Sequence, residues 1–520
     1  MLNRRHFISL GLGAALLAST SALAFAQTAT TPDLPLVFDP GTFETLSETI
    51  TTDRGDRVVT YRFYKAIPYV ARPVDVAYQS LNISVPVEID GVAIDASAAP
   101  ILFANAVGGY MPSSTAEATG IDASPMGPMP AGMKPSEGAM TEAPTGSAMM
   151  MAMGERVSLA KYALASGYVV VEPGARGRTL VDAEGVYYGT APAAIVDLKA
   201  AVRYLKANAG RVPGNTDWVI STGTSAGGAL SSLLGATGNS PLYAPYLEAI
   251  GAAPGNDAVF AAGCWCPITD LEHADMAYEW NWGTNPLQDG GAPDPVMSSA
   301  LAAGFPAYQE SLALSGRDGF GPLTADTYGP YLVRTFLLPE ATAHLAALSD
   351  ADRTAYLAAN PSIGWDGEAA TFDWTAFLAH VGPRKKAAPA FDALDLSSGE
   401  NNLFGTGTTM ARHFTDFAAR QASGDDGATV DKDIPDLLAL MNPMPFLAAG
   451  HAGRARHWWI RVGAKDTDTS LTVVGNLTAQ IEKLGDDVNT RFYWDEGHGA
   501  NTDPGAFIDW IADLTGYARA

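Results

Sequence analysis

A serine, a histidine and two aspartates stand out as side chains able to do chemistry together. Ser225 lies in Gly223-Thr224-Ser225-Ala226-Gly227, a G-x-S-x-G run with "DWVIST" before it and "AGGALSSLLGA" after it. A serine hydroxyl is too weak an acid to attack unaided. It needs an imidazole to take its proton and a carboxylate to orient that imidazole. The product of such a set is a nucleophile for acyl transfer. A strand before the motif and a helix after it place the serine on a tight, strained turn, where glycines keep neighbouring backbone clear of it. A glycine-rich packing turn is the competing reading, and it does not require that strand–helix context.

Eight histidines are candidates for the base. His6 falls in the leader, and His273, His344, His380 and His413 fall in the middle of the chain. His451 and His457 precede a late strand. His498, in "DEGHGANTD", follows the last strand-like run and precedes the last helical one, which is the position a base would take. Asp466, in "RVGAKDTDTS", follows the strand before that and is the favoured acid, with Asp468 as its local rival. An acyl-transfer intermediate also needs two backbone donors for its oxyanion. Ala226 supplies one N–H. The other is assigned to Gly108 in "FANAVGGYMP", a loop after an early strand.

The elements that must position these residues are legible from periodicity. "YQSLNISVPVEI", "PILFANAVGGY", "GYVVVEP" and "HWWIRVGAKD" have strand length and apolar content. "PAAIVDLKAAVRYLKANAG" places Ile195, Val196, Leu198, Val202 and Leu205 at helical spacing, with Gly210 as a stop. "TVVGNLTAQIEKLG" and "GAFIDWIADLTGYA" read as further helices. Strand and helix alternate, which implies a parallel sheet with crossover helices. The stretch 267–445 differs, being rich in Ala, Leu, Asp and Trp with helical segments such as "ATAHLAALSDADRTAYLAAN". The expected fold is therefore an α/β-hydrolase core, 27–266 and 446–520, interrupted by a large, mainly helical insertion. The order Ser, Asp, His agrees with that core. The insertion separates Ser225 from Asp466, so it is expected to form a lid that holds the substrate pocket.

The remaining composition narrows the surroundings. The chain has 520 residues and a formal charge of −24, so nucleic acid and anionic membrane are poor partners. The first 28 residues read as a bacterial export signal. Arg4 and Arg5 form a twin-arginine pair, an apolar run spans about Leu10–Ala18, and Ala24-Phe25-Ala26 is a cleavage site that assigns 1–26 to the signal peptide. The apolar run is short for a membrane span. A periplasmic or secreted location is expected. The two cysteines, Cys264 and Cys266, are separated by one residue, where a bridge would be strained, so they are read as packed thiols. From Met111 to about Gly154 the composition shifts to Met, Pro, Gly, Ala and Ser, which suggests a flexible surface loop. "SGDDGATVDKDIPD" reads as a solvated acidic loop rather than a calcium site. No cofactor or metal is implied, and the oligomeric state is left open.

A run of longer stretches resembles the bacterial tannases, lidded α/β-hydrolases that act as tannin acylhydrolases. In order they are "NAVGGYMP", "GYVVVEPGARGRT", "APAAIVDLKAAVRYLKANAGRVPG", "GTSAGGALSSLLGATGNS", "CPITDLEHADMAYEW", "PAFDALDLSSGENNLFG", "MNPMPFL" and "HWWIRVGAKDTDTS". The resemblance implies the same catalytic set, Ser225, Asp466 and His498. It also implies that Lys386, Glu400 and Asp468 contact the hydroxyls of a galloyl group. Phenolic hydroxyls donate to carboxylates and accept from an ammonium, so these residue types suit that role. Two stretches depart from the family pattern: Gly497-His498-Gly499-Ala500-Asn501 replaces a Pro-His-Ser-Gly-Asp-Tyr-like run, and the tract 113–150 differs in its Met and Pro content. The implied partner is a small polyphenol ester. A feruloyl or general aromatic esterase on the same scaffold is the nearest alternative, and a non-catalytic binding protein with this fold is the alternative from another class.

Overall fold

The computed structural model describes residues 32–122 and 157–520. The export signal and the remainder of the Met-rich tract lie outside the described residues.

One twisted sheet organises the chain from Leu34 onward. Its main strands are β1 (Glu44–Thr52), β2 (Gly55–Pro68), β3 (Ser80–Ile89), β4 (Ile101–Ala104), β5 (Val169–Pro173), β6 (Val219–Thr224), β7 (Ala261–Trp265), β8 (His457–Gly463) and β9 (Asp487–Tyr493). They lie in the order β1-β2-β3-β5-β4-β6-β7-β8-β9, with the short strand Val92–Ala93 paired to β3. Pairing is antiparallel from β1 to β5 and parallel from β5 to β9. The central parallel strands are the most deeply buried: all of Ala261–Trp265 is buried, as are Val169, Val170 and Val171.

Helices α1 (Leu159–Ala165), α2 (Ala193–Ala207) and α3 (Ala226–Ala236) pack on the sheet. In α2 the residues at helical spacing are buried, as their periodicity predicts. Between β7 and β8 the chain runs through α4 (Leu271–Trp282), α5 (Trp374–Val381) and α6 (Gly399–Leu403) among other helices, with two short ribbons at Ser315–Gly316/Gly321–Pro322 and Gly364–Trp365/Ala370–Thr371. The core resumes with β8, α7 (Leu471–Lys483), β9 and α8 (Pro504–Thr515).

The start of the Met-rich tract is not a free loop. Ser113 and Ala175 exchange backbone hydrogen bonds of 3.0 and 2.8 Å, and Ala118 and Ile121 are buried. Composition missed this because two apolar side chains suffice to seat the segment against the sheet. Among the described residues, no helix is long and apolar enough to cross a membrane.

Candidate active site

Parallel strands bring their carboxyl ends to one edge of the sheet, and that edge collects the candidate residues. Ser225 follows β6, Cys266 follows β7, Asp466 follows β8 and His498 follows β9.

Ser225 has φ 61° and ψ −123°, a conformation that strains any residue with a Cβ. Its N–H donates to Trp265 O at 2.9 Å, and its side chain is only half-buried at the amino end of α3. The glycines explain how the turn fits. A Cβ on Gly223 would collide with Gly227 O, and one on Gly227 would lie 2.7 Å from both Asn105 Oδ1 and Val107 O. Asn105 ties the preceding loop to this turn: its Nδ2 donates to Thr222 O at 2.8 Å, Gly227 O at 3.1 Å and Ser231 Oγ at 3.1 Å. The 105–109 loop thus stands against the Ser225 turn, with Gly108 exposed on it.

His498 Nδ1 lies 2.8 Å from Asp466 Oδ2 and 4.0 Å from Asp468 Oδ2, so Asp466 makes the orienting contact. Asp466 is fully buried, and its Oδ1 accepts the Asp468 N–H at 2.9 Å. Burial disfavours a charged imidazole. The Asp466 carboxylate and the Cys266 sulfur outweigh it and hold His498 well above its ordinary value of 6.5. On the other side of the ring, Cys266 Sγ lies 3.9 Å from Nε2. Cys264 and Cys266 are both free and buried. Among the described residues, Cys266, Asp466 and His498 form a group able to hold a metal ion, their ligand atoms lying within 4.8 Å of one another.

The segment between β7 and β8 packs against this edge through α4. Helix α4 is the frame. Tyr278 Oη donates to Thr467 O at 2.7 Å and Trp282 Nε1 donates to Thr469 O at 2.8 Å, which holds the loop bearing Asp466 and Asp468. The same helix holds the 384–392 loop. Glu279 pairs with the fully buried Arg384, Asp275 accepts the N–H groups of Phe391 and Asp392 at 2.8 and 3.0 Å, and Arg384 Nε donates to Lys386 O at 2.8 Å. Lys386 Nζ stands 3.6 Å from the centroid of the Phe391 ring. Asp468 is paired at 2.7 Å with Lys385. Burial raises the Asp468 pKa, but His498, Lys385 and Lys386 together bring it below the usual carboxylate value. Lys386 and Asp468 therefore converge beside His498.

Glu400 lies in the first turn of α6. Its charge acts on Tyr110 and Arg178. Arg178 Nε donates to Gly109 O at 2.7 Å and its Nη1 donates to Asn402 Oδ1 at 2.9 Å, which ties α6 to the loop carrying Gly108. Sequence reasoning had no means of singling out Arg178, Asn105 or Lys385, and it read Cys266 only as one of two packed thiols in "GCWCP".

A parallel-centred sheet with a strained serine turn after β6, an acid after β8 and a histidine after β9 defines an α/β-hydrolase. The BD-FAE family model matches residues 146–285. A tannase from Fusobacterium nucleatum is 34% identical, covering 93% of this chain and 100% of its own, with a TM-score of 0.75. Tannin acyl hydrolase from Lactobacillus plantarum is 35% identical, covering 92% of this chain and 99% of its own, with a TM-score of 0.74. A tannin acyl hydrolase in complex with ethyl gallate is also 35% identical, covering 92% of this chain and 99% of its own, at a TM-score of 0.74. No match was found among curated protein sequences. The chain belongs to the tannase family of ester hydrolases.

Proposed function

We propose that this protein is an exported serine esterase that hydrolyses galloyl esters, such as tannins and alkyl gallates, through an acyl-enzyme. Ser225 Oγ attacks the ester carbonyl carbon while His498 Nε2 takes its proton. The carbonyl oxygen becomes an oxyanion, held by the Ala226 N–H and by a second donor from the 105–109 loop, assigned to Gly108. As the intermediate collapses, the ester C–O bond breaks and His498 gives its proton to the leaving alcohol. Water, deprotonated by His498, then attacks the galloyl-serine; the Ser225 Oγ–acyl bond breaks, His498 returns the proton to Ser225 Oγ, and gallate leaves. Asp466 keeps the histidine oriented throughout. The insertion, 267–445, acts as the lid and supplies the clamp: Lys386 and Glu400, with Asp468 from the core, bond the three hydroxyls.

The observation that carries the galloyl assignment is Asp468 4.0 Å from His498, with the Lys386 loop held by Tyr278 and Arg384 and the helix bearing Glu400 tied by Arg178 to the 105–109 loop. A relative of this chain crystallised with ethyl gallate, and one in complex with 3,4-dihydroxybenzoate, support it. The BD-FAE match favours a second reading, a feruloyl or related aromatic esterase. A monohydroxyl ring would leave members of the clamp unpaired, which penalises it and favours gallate. The deciding measurement is kcat/KM on methyl gallate, methyl ferulate and p-nitrophenyl acetate. Strong preference for gallate is expected. Preference for ferulate or acetate would sink the galloyl assignment and leave the esterase. Ser225→Ala is expected to lower kcat by ~10⁴-fold or more, and near-normal turnover would remove the serine mechanism.

A further inference from the structure

Cys266 has no task in the hydrolytic cycle, yet it occupies a demanding position. It is 1% exposed and its φ is 38°, in the left-handed region that disfavours a side chain. Its N–H donates to Arg461 O at 2.6 Å, which pins it between the ends of β7 and β8. Its sulfur is 3.9 Å from His498 Nε2, the atom that must receive the serine proton.

The other edge of the ring completes a familiar arrangement of ligand chemistry. Asp466 accepts from Nδ1 at 2.8 Å. A carboxylate on one ring nitrogen fixes the tautomer and leaves the lone pair on the other nitrogen, as at histidines that ligate metals. That lone pair and the thiol are then neighbours. In a tetrahedral zinc site, ordinary Zn–S and Zn–N lengths place sulfur and nitrogen about 3.6 Å apart. The observed separation exceeds this by a few tenths of an ångström, a shift that a side-chain rotation supplies.

We propose that Cys266 Sγ and His498 Nε2 form a site for a soft divalent cation of the zinc and cadmium class, and that filling it switches the hydrolase off. The thiol proton is released to solvent, the sulfur and the imidazole lone pair bind the cation, and water fills the remaining positions. No electron is transferred. Asp466 stays on Nδ1 as the outer partner. Hard cations such as magnesium and calcium are excluded because the site offers sulfur and nitrogen where they require oxygen. The inhibition rests on His498 being the general base; the binding does not.

The test uses p-nitrophenyl acetate, which lacks vicinal hydroxyls and so does not itself chelate the cation. Zinc is titrated against the wild type, Cys266→Ala, Cys266→Ser and Cys264→Ala, each normalised to its own zinc-free rate. The wild type and Cys264→Ala are expected to lose activity together and regain it with EDTA, while magnesium has no effect. The two Cys266 variants are expected to need at least about tenfold more zinc. A second readout is independent of catalysis: cadmium is titrated into Ser225→Ala and into Ser225→Ala/Cys266→Ser, following the ultraviolet sulfur-to-cadmium charge-transfer band. One equivalent is expected in the first protein and no band in the second. Equal zinc sensitivity with and without Cys266, or no band in Ser225→Ala at saturating cadmium, would overturn the site. A band without inhibition keeps the site and removes His498 as the base, so the two readings fail separately.

Discussion

Lys385 Nζ lies 2.7 Å from Asp468 Oδ1, whereas its neighbour Lys386 holds its ammonium 3.6 Å from the centroid of the Phe391 ring. Adjacent lysines thus do different things. The Lys385 side chain is 53% exposed, so its pairing is screened by solvent and contributes little. Lys386 is held in place by its own backbone: its N–H donates to Tyr278 Oη at 3.1 Å and its carbonyl accepts from Arg384. Its ammonium rests on an aromatic face, close enough to Asp468 to lower that carboxyl.

The two lysines should therefore separate on substrate. Lys386→Met is expected to lower kcat/KM on methyl gallate by about 10- to 100-fold, the range of a charge-assisted hydrogen bond, and to leave p-nitrophenyl acetate nearly unchanged. Lys385→Met is expected to change either substrate by no more than about threefold. Equal losses on both esters for Lys386→Met would argue against a galloyl clamp.

The pH profile tests the histidine. In the proposed cycle His498 must be neutral to take the serine proton, and its pKa is held above 6.5. Below that pKa the imidazole is charged and idle, so kcat/KM on methyl gallate should rise with pH through an inflection above 6.5 and then level. Asp466→Asn removes the charge that favours the imidazolium, so the pKa must fall and the inflection must move to lower pH. The plateau should also drop by about 10⁴-fold, because the asparagine no longer holds the required tautomer. An inflection that stays put would show that another group limits the acid side.

The contrast between Asp466 and Asp468 shows what sequence can and cannot decide. Their positions after a late strand were legible, because β8 and α7 carry strong apolar periodicity. Which of the two faces the imidazole depends on 1.2 Å of difference between the 2.8 and 4.0 Å contacts, and that comes from the loop that α4 holds through Tyr278 and Trp282. Likewise Ser225 was legible because the strand, the glycines and the helix are local. Arg178 and Asn105 were not, since each acts on residues far along the chain: Arg178 reaches Asn402, and Asn105 reaches Ser231. Apolar content also undersold the first residues of the Met-rich tract, which Ser113 pins to Ala175.

The buried Arg384–Glu279 pair offers a test of the frame. Both side chains are 0% exposed, and Arg384 joins the Lys386 loop to α4. Arg384→Met strands the Glu279 charge in a dry setting and is expected to cost about 3–5 kcal/mol. The double variant Arg384→Met/Glu279→Met is expected to recover part of that loss, because no charge is then left unpaired. Urea unfolding of the three proteins measures this. A double variant no more stable than Arg384→Met would show that Glu279 is not left there as a costly unpaired charge.

The last prediction concerns the glycines around the nucleophile. A Cβ on Gly227 would stand 2.7 Å from the Val107 carbonyl and from Asn105 Oδ1, and a backbone oxygen has no rotamer by which to escape. The added methyl must push the 105–109 loop away from the turn, which separates the two sets of proposed oxyanion donors. Gly227→Ala is expected to cost about 1–3 kcal/mol of stability, as overpacking does, and to lower kcat more than it raises KM, since the intermediate loses more than the substrate. Gly108 is a contrast on the same loop: its Cβ would meet nothing within 4 Å among the described residues. Thermal unfolding should therefore give Gly108→Ala a Tm close to the wild type and Gly227→Ala a clear drop. A Gly227→Ala protein with unaltered Tm and kcat would mean that the 105–109 loop does not press on the serine turn.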